Sequence, residues 1–126
     1  MPTENELSNI IIREAIHVHR SLGPGLLESV YESCLFYRLT KSEVNIIREQ
    51  AIPVIFEKVR LECGYRADII VENKVIIEVK AVEALNDIHK AQVLTYFRLT
   101  GLKLGLLMNF NVLYLKDGIK RIVNNL

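Results

Sequence analysis

The sequence has 126 residues, of which half are hydrophobic and a quarter are charged, and its formal net charge is +1. That length suits one domain with a hydrophobic core and is too short for two. A charge near zero does not indicate a nucleic-acid binder and does not exclude one, because a local basic patch matters more than the total.

Neither a membrane nor an oxidising compartment is indicated. No apolar run approaches the ~20 residues that a membrane span requires. Cys34 and Cys63 lack the spacing of a metal site or a disulfide framework, so we expect two reduced thiols. The N-terminus is acidic and polar, unlike a signal peptide. We therefore expect a cytoplasmic protein without a membrane partner.

Two helices are predicted at the start of the chain. Residues 5–22 carry apolar side chains at three- and four-residue steps and end at a Gly-Pro-Gly turn, residues 23–25. A second helix is predicted over residues 26–40. Its predicted apolar stripe consists of Leu27, Val30, Cys34 or Leu35, and Leu39. A second face carries Glu28, Tyr31, Glu32 and Leu35, because positions three and four apart are neighbours on a helix.

The periodicity then changes to that of strands. Residues 44–50 lead into residues 51–56, where Pro53 lacks an N–H and predicts an edge strand or a break. A further short strand is predicted from Val59 to Cys63. Two apolar strands joined by a polar turn, residues 65–80, follow it.

The last third of the chain predicts a helix and more strands. The helix begins with Asn86 or Asp87 as its cap and ends at Gly101. Residues 103–109 are nearly all apolar, as in a buried central strand. Residues 112–115 and 119–123 predict a closing hairpin. The complete order predicts an α/β sandwich with a mixed sheet covered by helices.

The strand pair of residues 65–80 carries charges where a core strand should have none. If residues 72–74 form the loop, Val71 faces Val75 and Asp68 faces Glu78. A two-residue turn or a bulge would shift this register. The alternation of side chains then puts on one face Asp68, Ile70, Ile76, Glu78 and Lys80. The other face would pack the core with Ile69, Val71, Val75, Ile77 and Val79.

Two adjacent carboxylates repel unless a cation lies between them. Mg²⁺ or Mn²⁺ takes oxygen ligands, polarises phosphoryl groups and helps to generate hydroxide. Lys80 would orient the attacking water or stabilise charge in the transition state. In the alternative interpretation, Asp68 and Glu78 lie in solvent at strand ends and Lys80 merely pairs with one of them.

These residues resemble a known family. Asp68 followed by Glu78-Val79-Lys80 resembles the signature of the PD-(D/E)xK nuclease superfamily. The segment Gly25-Leu26-Leu27-Glu28-Ser29-Val30-Tyr31 resembles the GxxExxY motif that names one small-protein family within it. Blocks at residues 17–31, 65–68 and 92–96 extend the resemblance over nearly the whole chain. One departure is that Ala67 stands where the superfamily name has proline.

The resemblance implies a fold, a reaction and a site. The fold would be a restriction-endonuclease-like single domain over residues 1–126. The reaction would be metal-dependent hydrolysis of nucleic-acid phosphodiester bonds, with DNA as the expected partner. Metal ligands would be Glu28, Asp68, Glu78 and the Val79 carbonyl. Catalytic residues would be Asp68, Glu78 and Lys80, together with Gln92 and Tyr96 from the helix that follows the second strand.

Two other functions stay open from the sequence. The first is a nucleic-acid- or protein-binding module on a nuclease-like scaffold with little or no turnover. The second is an enzyme acting on another phosphate-containing substrate, because fold does not fix function. The small chain offers little surface to DNA, so we also predict a homodimer. Basic residues that would contact phosphates, or simply lie in solvent, are Lys90, Arg98, Lys103, Lys116, Lys120 and Arg121.

Overall fold

The computed structural model describes residues 1–62 and 64–126. The helices are α1 (Glu4–Leu22), α2 (Glu28–Thr40) and α3 (Asp87–Thr100), with a short 3₁₀ turn at Leu115–Gly118. The strands are β1 (Ile46–Ala51), β2 (Val54–Phe56), β3 (Val59–Leu61), β4 (Arg66–Val71), β5 (Val75–Lys80), β6 (Leu104–Asn109) and β7 (Ile119–Val123). The predicted strand at Val59 is confirmed as far as Leu61, and its predicted end at Cys63 lies outside the described residues.

The ends of α1 and α3 form within one residue of the predicted positions, whereas α2 begins two residues later than predicted. Thr3 caps α1 in a capping box with Glu6, and Gly23 follows its last turn. Asn86 caps α3 by accepting hydrogen bonds from the next backbone N–H groups, and Gly101 ends that helix in a left-handed conformation with φ of 76°. These caps fix α3 over the sheet that carries the acidic residues.

The main sheet has five strands in the order β1-β4-β5-β6-β7, and β2 and β3 form a separate two-stranded sheet. Strands β5 and β6 are parallel, whereas the other neighbours are antiparallel. The predicted α/β class with a mixed sheet flanked by helices is therefore confirmed. The predicted pairing of Val71 with Val75 is also confirmed.

Both faces of the sheet are buried, as expected of a mixed sheet covered by helices. Ile69 and Val79 pack under α1 and α2. Ile70 and Ile76 lie on the opposite face, against Phe97 and its neighbours in α3. The Asp68 face is therefore closed by a helix over its apolar part, and the charged residues lie at the end of that closed region.

The predicted apolar stripe of α2 is wrong at its first turn. Leu27 is 74% exposed and Val30 is 37% exposed. The residues that α2 buries are Tyr31, Glu32, Leu35 and Leu39. Glu32 tolerates burial because the Arg48 guanidinium of β1 lies 2.8 Å from its carboxylate. The face that carries the acidic residues is thus the one turned toward the sheet.

The predicted closing hairpin is also wrong. Residues 112–115 are not a strand; they lead into the 3₁₀ turn, and β7 pairs antiparallel with β6. Leu115 enters the core, and Gly118 lies so close to the chain that a Cβ there would be 2.2 Å from the Asn109 carbonyl oxygen. This tight turn returns the chain onto the free edge of β6. Within the described ranges, no helix is both long and apolar enough to cross a membrane.

Candidate active site

The site lies where the pairing of β4 and β5 ends. Their backbone ladder runs from Val71–Val75 to Ile69–Ile77 and stops there. Beyond it, the Asp68 carboxylate accepts a hydrogen bond from the Val79 N–H at 2.8 Å. The Glu78 carboxylate accepts one from the Asp68 N–H at 3.3 Å. These two side-chain hydrogen bonds therefore join β4 and β5 beyond the end of their backbone ladder.

Burial raises the pKa of both carboxyl groups. Glu78 is 2% exposed, and its burial, followed by the charge of Asp68, raises its pKa to about 9. Burial likewise raises the pKa of Asp68, although the hydrogen bond from Val79 and the charge of Lys80 oppose the shift. A buried acid and a partly buried acid with raised pKa values, lying side by side, are stabilised as anions by a cation.

Lys80 supplies part of that positive charge. It is the last residue of β5, and its ammonium group lowers the pKa of both Asp68 and Glu78. Its backbone pairs with Asn109 of the parallel neighbour β6. The sheet therefore fixes the backbone of Lys80, while its side chain remains only partly buried.

Helix α2 brings two acids to this end of the sheet. Glu28 accepts a hydrogen bond from the Ala81 N–H at 3.3 Å, just past Lys80. Glu32, one turn later, is buried beside Asp68. The carboxylate oxygens of Glu32, Glu49 and Asp68 all lie within 4.8 Å of one another. The predicted site residues Asp68, Glu78 and Lys80 come together, and Glu28 lies at the strand end next to them.

Glu49 is an acidic residue of this group that the sequence analysis did not select. It stands opposite Asp68, because Arg48 pairs with Ile69 and Gln50 pairs with Ala67. Its φ of 55° is left-handed, which is uncommon for a residue other than glycine. A hydrogen bond shared with Glu32 raises its pKa. Only the non-local register of β1 with β4 reveals this acid.

Tyr96 of α3 lies within electrostatic reach of the same carboxylates, and Gln92 is its hydrogen-bond partner. The Gln92 amide donates to the Tyr96 hydroxyl at 3.1 Å, and that hydroxyl donates to the Arg66 carbonyl at 3.4 Å. Burial and then the charge of Glu78 raise the pKa of Tyr96 to about 12. The hydroxyl is therefore a permanent donor at neutral pH, within the electrostatic reach of Glu78.

Tyr31 holds the loop before α2. Its hydroxyl donates to the Gly23 carbonyl at 2.6 Å and accepts from the Leu26 N–H at 3.0 Å. Its ring is fully buried and stacks on Phe110 with centroids 4.8 Å apart. The tyrosine packs in the core, and its hydroxyl fixes the turn that precedes the helix bearing Glu28.

The donor set is suited to a hard divalent cation. The ligand atoms on offer are carboxylate oxygens, which Mg²⁺ and Mn²⁺ prefer over sulfur and imidazole ligands. Burial raises the pKa of Asp68 and of Glu78, so an added positive charge would stabilise their ionised forms. Lys80 and Arg48 supply single charges at its edges. The residues present therefore fit a metal that binds oxygen ligands.

Comparison with known proteins gives one match. The family model of the PD-(D/E)XK nuclease superfamily matches residues 5–122. No curated protein and no solved structure matches the chain significantly. The match spans every helix and the whole acidic cluster, and the five-stranded mixed sheet with its flanking helices is a restriction-endonuclease-like arrangement.

Proposed function

This chain belongs to the PD-(D/E)XK nuclease superfamily, and on that premise we propose that it is a metal-dependent nuclease. The observation that carries the proposal is the junction of Asp68 and Glu78 beside Lys80, where burial raises the pKa of both carboxyls. Groups with strongly shifted pKa values are found preferentially at functional sites. The sequence Gly25-Leu26-Leu27-Glu28-Ser29-Val30-Tyr31 further supports placing the chain in the GxxExxY family.

We propose that Mg²⁺ or Mn²⁺ is held by Asp68, Glu78 and the Val79 carbonyl, with an acid of α2 completing the set. Our first choice for that acid is Glu32, because its carboxylate oxygen lies within 4.8 Å of that of Asp68. Glu28, which the resemblance implies, is the second choice. A bound divalent ion supplies Lewis acidity toward a phosphoryl oxygen and lowers the pKa of a water.

The protein groups would prepare the rest of the reaction. Backbone N–H groups hold the Asp68 and Glu78 carboxylates in place, so little reorganisation is needed when substrate binds. The Lys80 ammonium would donate to the attacking water or to a phosphoryl oxygen. The Tyr96 hydroxyl, which is protonated at neutral pH, would donate to an oxygen of the substrate. Gln92 would hold that hydroxyl in position.

The test is cleavage of labelled DNA and RNA with Mg²⁺, with Mn²⁺ and with EDTA. We expect cleavage with the metals, none with EDTA, and a loss of about 10²-fold or more in Asp68→Asn and Lys80→Ala. Exposed residues offer matched controls, Asp117→Asn in the 3₁₀ turn and Lys41→Ala at the C-terminal end of α2, which should cleave normally. Cleavage that survives EDTA or both site substitutions would refute the assignment. Binding without cleavage under every metal would favour a non-catalytic module.

The partner and setting are further parts of the proposal. We propose DNA as the substrate, one nuclease-like domain over residues 1–126, and a homodimer that enlarges the surface facing the nucleic acid. Light scattering should then give twice the 14.5 kDa chain mass, and a monomer at all working concentrations would contradict it.

The free thiol of Cys34 agrees with a reducing, cytoplasmic setting. Cell fractionation tests that location.

A further inference from the structure

A cavity of about 270 Å³ opens on the flank of α3, and it is linked to the acidic site through Tyr96, whose hydroxyl donates to the carbonyl of Arg66, two residues before Asp68. It is smaller than the ~300–1,000 Å³ of pockets that hold drug-sized ligands. Its size therefore suits a single ring system rather than a larger molecule. The lining residues come from β2, the segment before β4, and α3: Val54, Tyr65, Gln92, Thr95, Tyr96 and Leu99.

The walls of the cavity are aromatic and aliphatic. The side chain of Tyr65 is 53% exposed, although its backbone is fixed by the Ile52 N–H, which donates to the Tyr65 carbonyl at 2.9 Å. A half-exposed aromatic ring on a fixed backbone offers a π-face for stacking at little entropic cost. Val54 and Leu99 supply apolar surface. This part of the cavity is suited to a flat, weakly polar group.

One end of the cavity is polar, because Gln92 and Tyr96 line it. Gln92 uses its amide N–H₂ on the Tyr96 hydroxyl, and its amide oxygen has no hydrogen-bond partner among residues 1–62 and 64–126. The charges of Glu78, Asp68 and Tyr65 each contribute to the raised pKa of Tyr96. Tyr96 is thus a common wall of the cavity and the acidic site.

We propose that this cavity, the Tyr65 pocket, receives one unstacked nucleobase next to the phosphodiester bond that the acidic site acts on. Tyr65 would stack on the base, and the free oxygen of Gln92 would accept a hydrogen bond from its edge. The proposal rests on the proposed nuclease function, because continuity with that site is what selects a nucleobase as the occupant.

A substrate class follows from the pocket. A base inside a duplex is stacked on both sides and cannot enter a side cavity unless it flips out. Single strands, flaps and mismatched positions release a base at much lower cost. The pocket therefore selects nucleic acid with an unpaired base beside the cleaved bond.

Binding measurements test the pocket without relying on cleavage. The probes are a fluorescein-labelled dT₂₀ and a 20-unit abasic strand with the same phosphates, measured by anisotropy with the full chain in EDTA. Base stacking contributes about 1–3 kcal/mol per base, so we expect the wild-type chain to bind dT₂₀ at least about fivefold more tightly. Tyr65→Ala should remove this preference, and Tyr65→Phe should keep it.

The control and the adverse outcomes separate the pocket from the nuclease proposal. Tyr114→Ala removes a tyrosine that is 68% exposed and lies outside the cavity, so it should leave the base preference unchanged. Equal binding of both strands by the wild-type chain, no binding of either, or a preference that survives Tyr65→Ala overturns the pocket. A chain that keeps the preference but never cleaves with Mg²⁺ or Mn²⁺ overturns the nuclease function alone.

Discussion

The carboxylate of Asp68 accepts a hydrogen bond of 2.8 Å from the backbone N–H of Val79. Val79 lies in the interior of the sheet, fully buried, and it pairs on its other side with Met108. The acidic side chain therefore substitutes for a backbone carbonyl in the sheet. This arrangement ties the proposed chemistry to the fold, because removing the carboxylate also removes a sheet hydrogen bond. Asparagine, which keeps an acceptor oxygen, is the better test substitution than alanine.

Glu78 should make the metal-free protein less stable as the pH rises. Its pKa is about 9 in the folded chain against 4.5 for the ordinary group, so the folded state keeps a proton that the unfolded state has lost between these values. The free energy of unfolding must then fall across that window, by at most about 1.4 kcal/mol per pH unit. Urea unfolding in EDTA from pH 5 to 9 measures it.

Two variants and the addition of Mn²⁺ test whether Glu78 causes this pH dependence. Glu78→Gln stays neutral and should flatten the profile, whereas Glu83→Gln, an exposed carboxylate, should leave it unchanged. Adding Mn²⁺ at pH 8 should raise the stability of the wild-type chain and have less effect on Glu78→Gln, since a ligand that binds only the folded state stabilises it. A free energy of unfolding that rises with pH in EDTA would contradict the raised pKa of the buried Glu78.

The two acids of α2 should differ in their contribution to metal binding. Glu32 has a carboxylate oxygen within 4.8 Å of one from Asp68, whereas Glu28 accepts from the Ala81 N–H. Calorimetric titration with Mn²⁺ should show a loss of about tenfold or more in affinity for Glu32→Gln and a smaller loss for Glu28→Gln. The reverse order would make Glu28 the ligand, as the resemblance to the GxxExxY family implies.

The sequence predicted the parts of this site that depend on local rules. A three-residue loop set the register of Val71 against Val75, which brings Asp68 near Glu78, and caps set the bounds of α3. It missed Glu49, because that residue meets Asp68 only through a pairing of distant strands. It also misjudged the buried face of α2, because a charged residue such as Glu32 is buried only once Arg48 of β1 neutralises it. Long-range pairing and charge compensation are not visible in periodicity.

Tyr31 should contribute to stability through its hydroxyl and not only through its ring. Tyr31→Phe keeps the stacking on Phe110 but leaves the Gly23 carbonyl and the Leu26 N–H without this partner. Losing a partner of partly buried groups costs about 1–3 kcal/mol. Chemical denaturation measures the change. Tyr114→Phe at an exposed position should stay within about 0.5 kcal/mol, and an equal effect of the two substitutions would show that the turn does not depend on Tyr31.

Gly105 of β6 should be required for the close approach of α3 to the sheet. A Cβ at this position would lie 2.5 Å from Val93 Cγ1 and 3.2 Å from Phe97 Cζ, and both residues are buried. Gly105→Ala should therefore cost about 1–3 kcal/mol and displace the helix that bears Gln92 and Tyr96, lowering any nuclease activity. Thermal or urea unfolding measures the stability.

The double variant Gly105→Ala/Val93→Ala separates overpacking from other effects of the alanine. Val93→Ala alone removes buried methyl groups and should destabilise the chain, but it also frees the volume that the new methyl of Ala at position 105 needs. The double variant should therefore lose less stability than the sum of the two single losses, by about 0.5 kcal/mol or more, as contacting residues do. Strict additivity would show that the helix does not rest on Gly105, and the position of Gln92 and Tyr96 would then depend on other contacts.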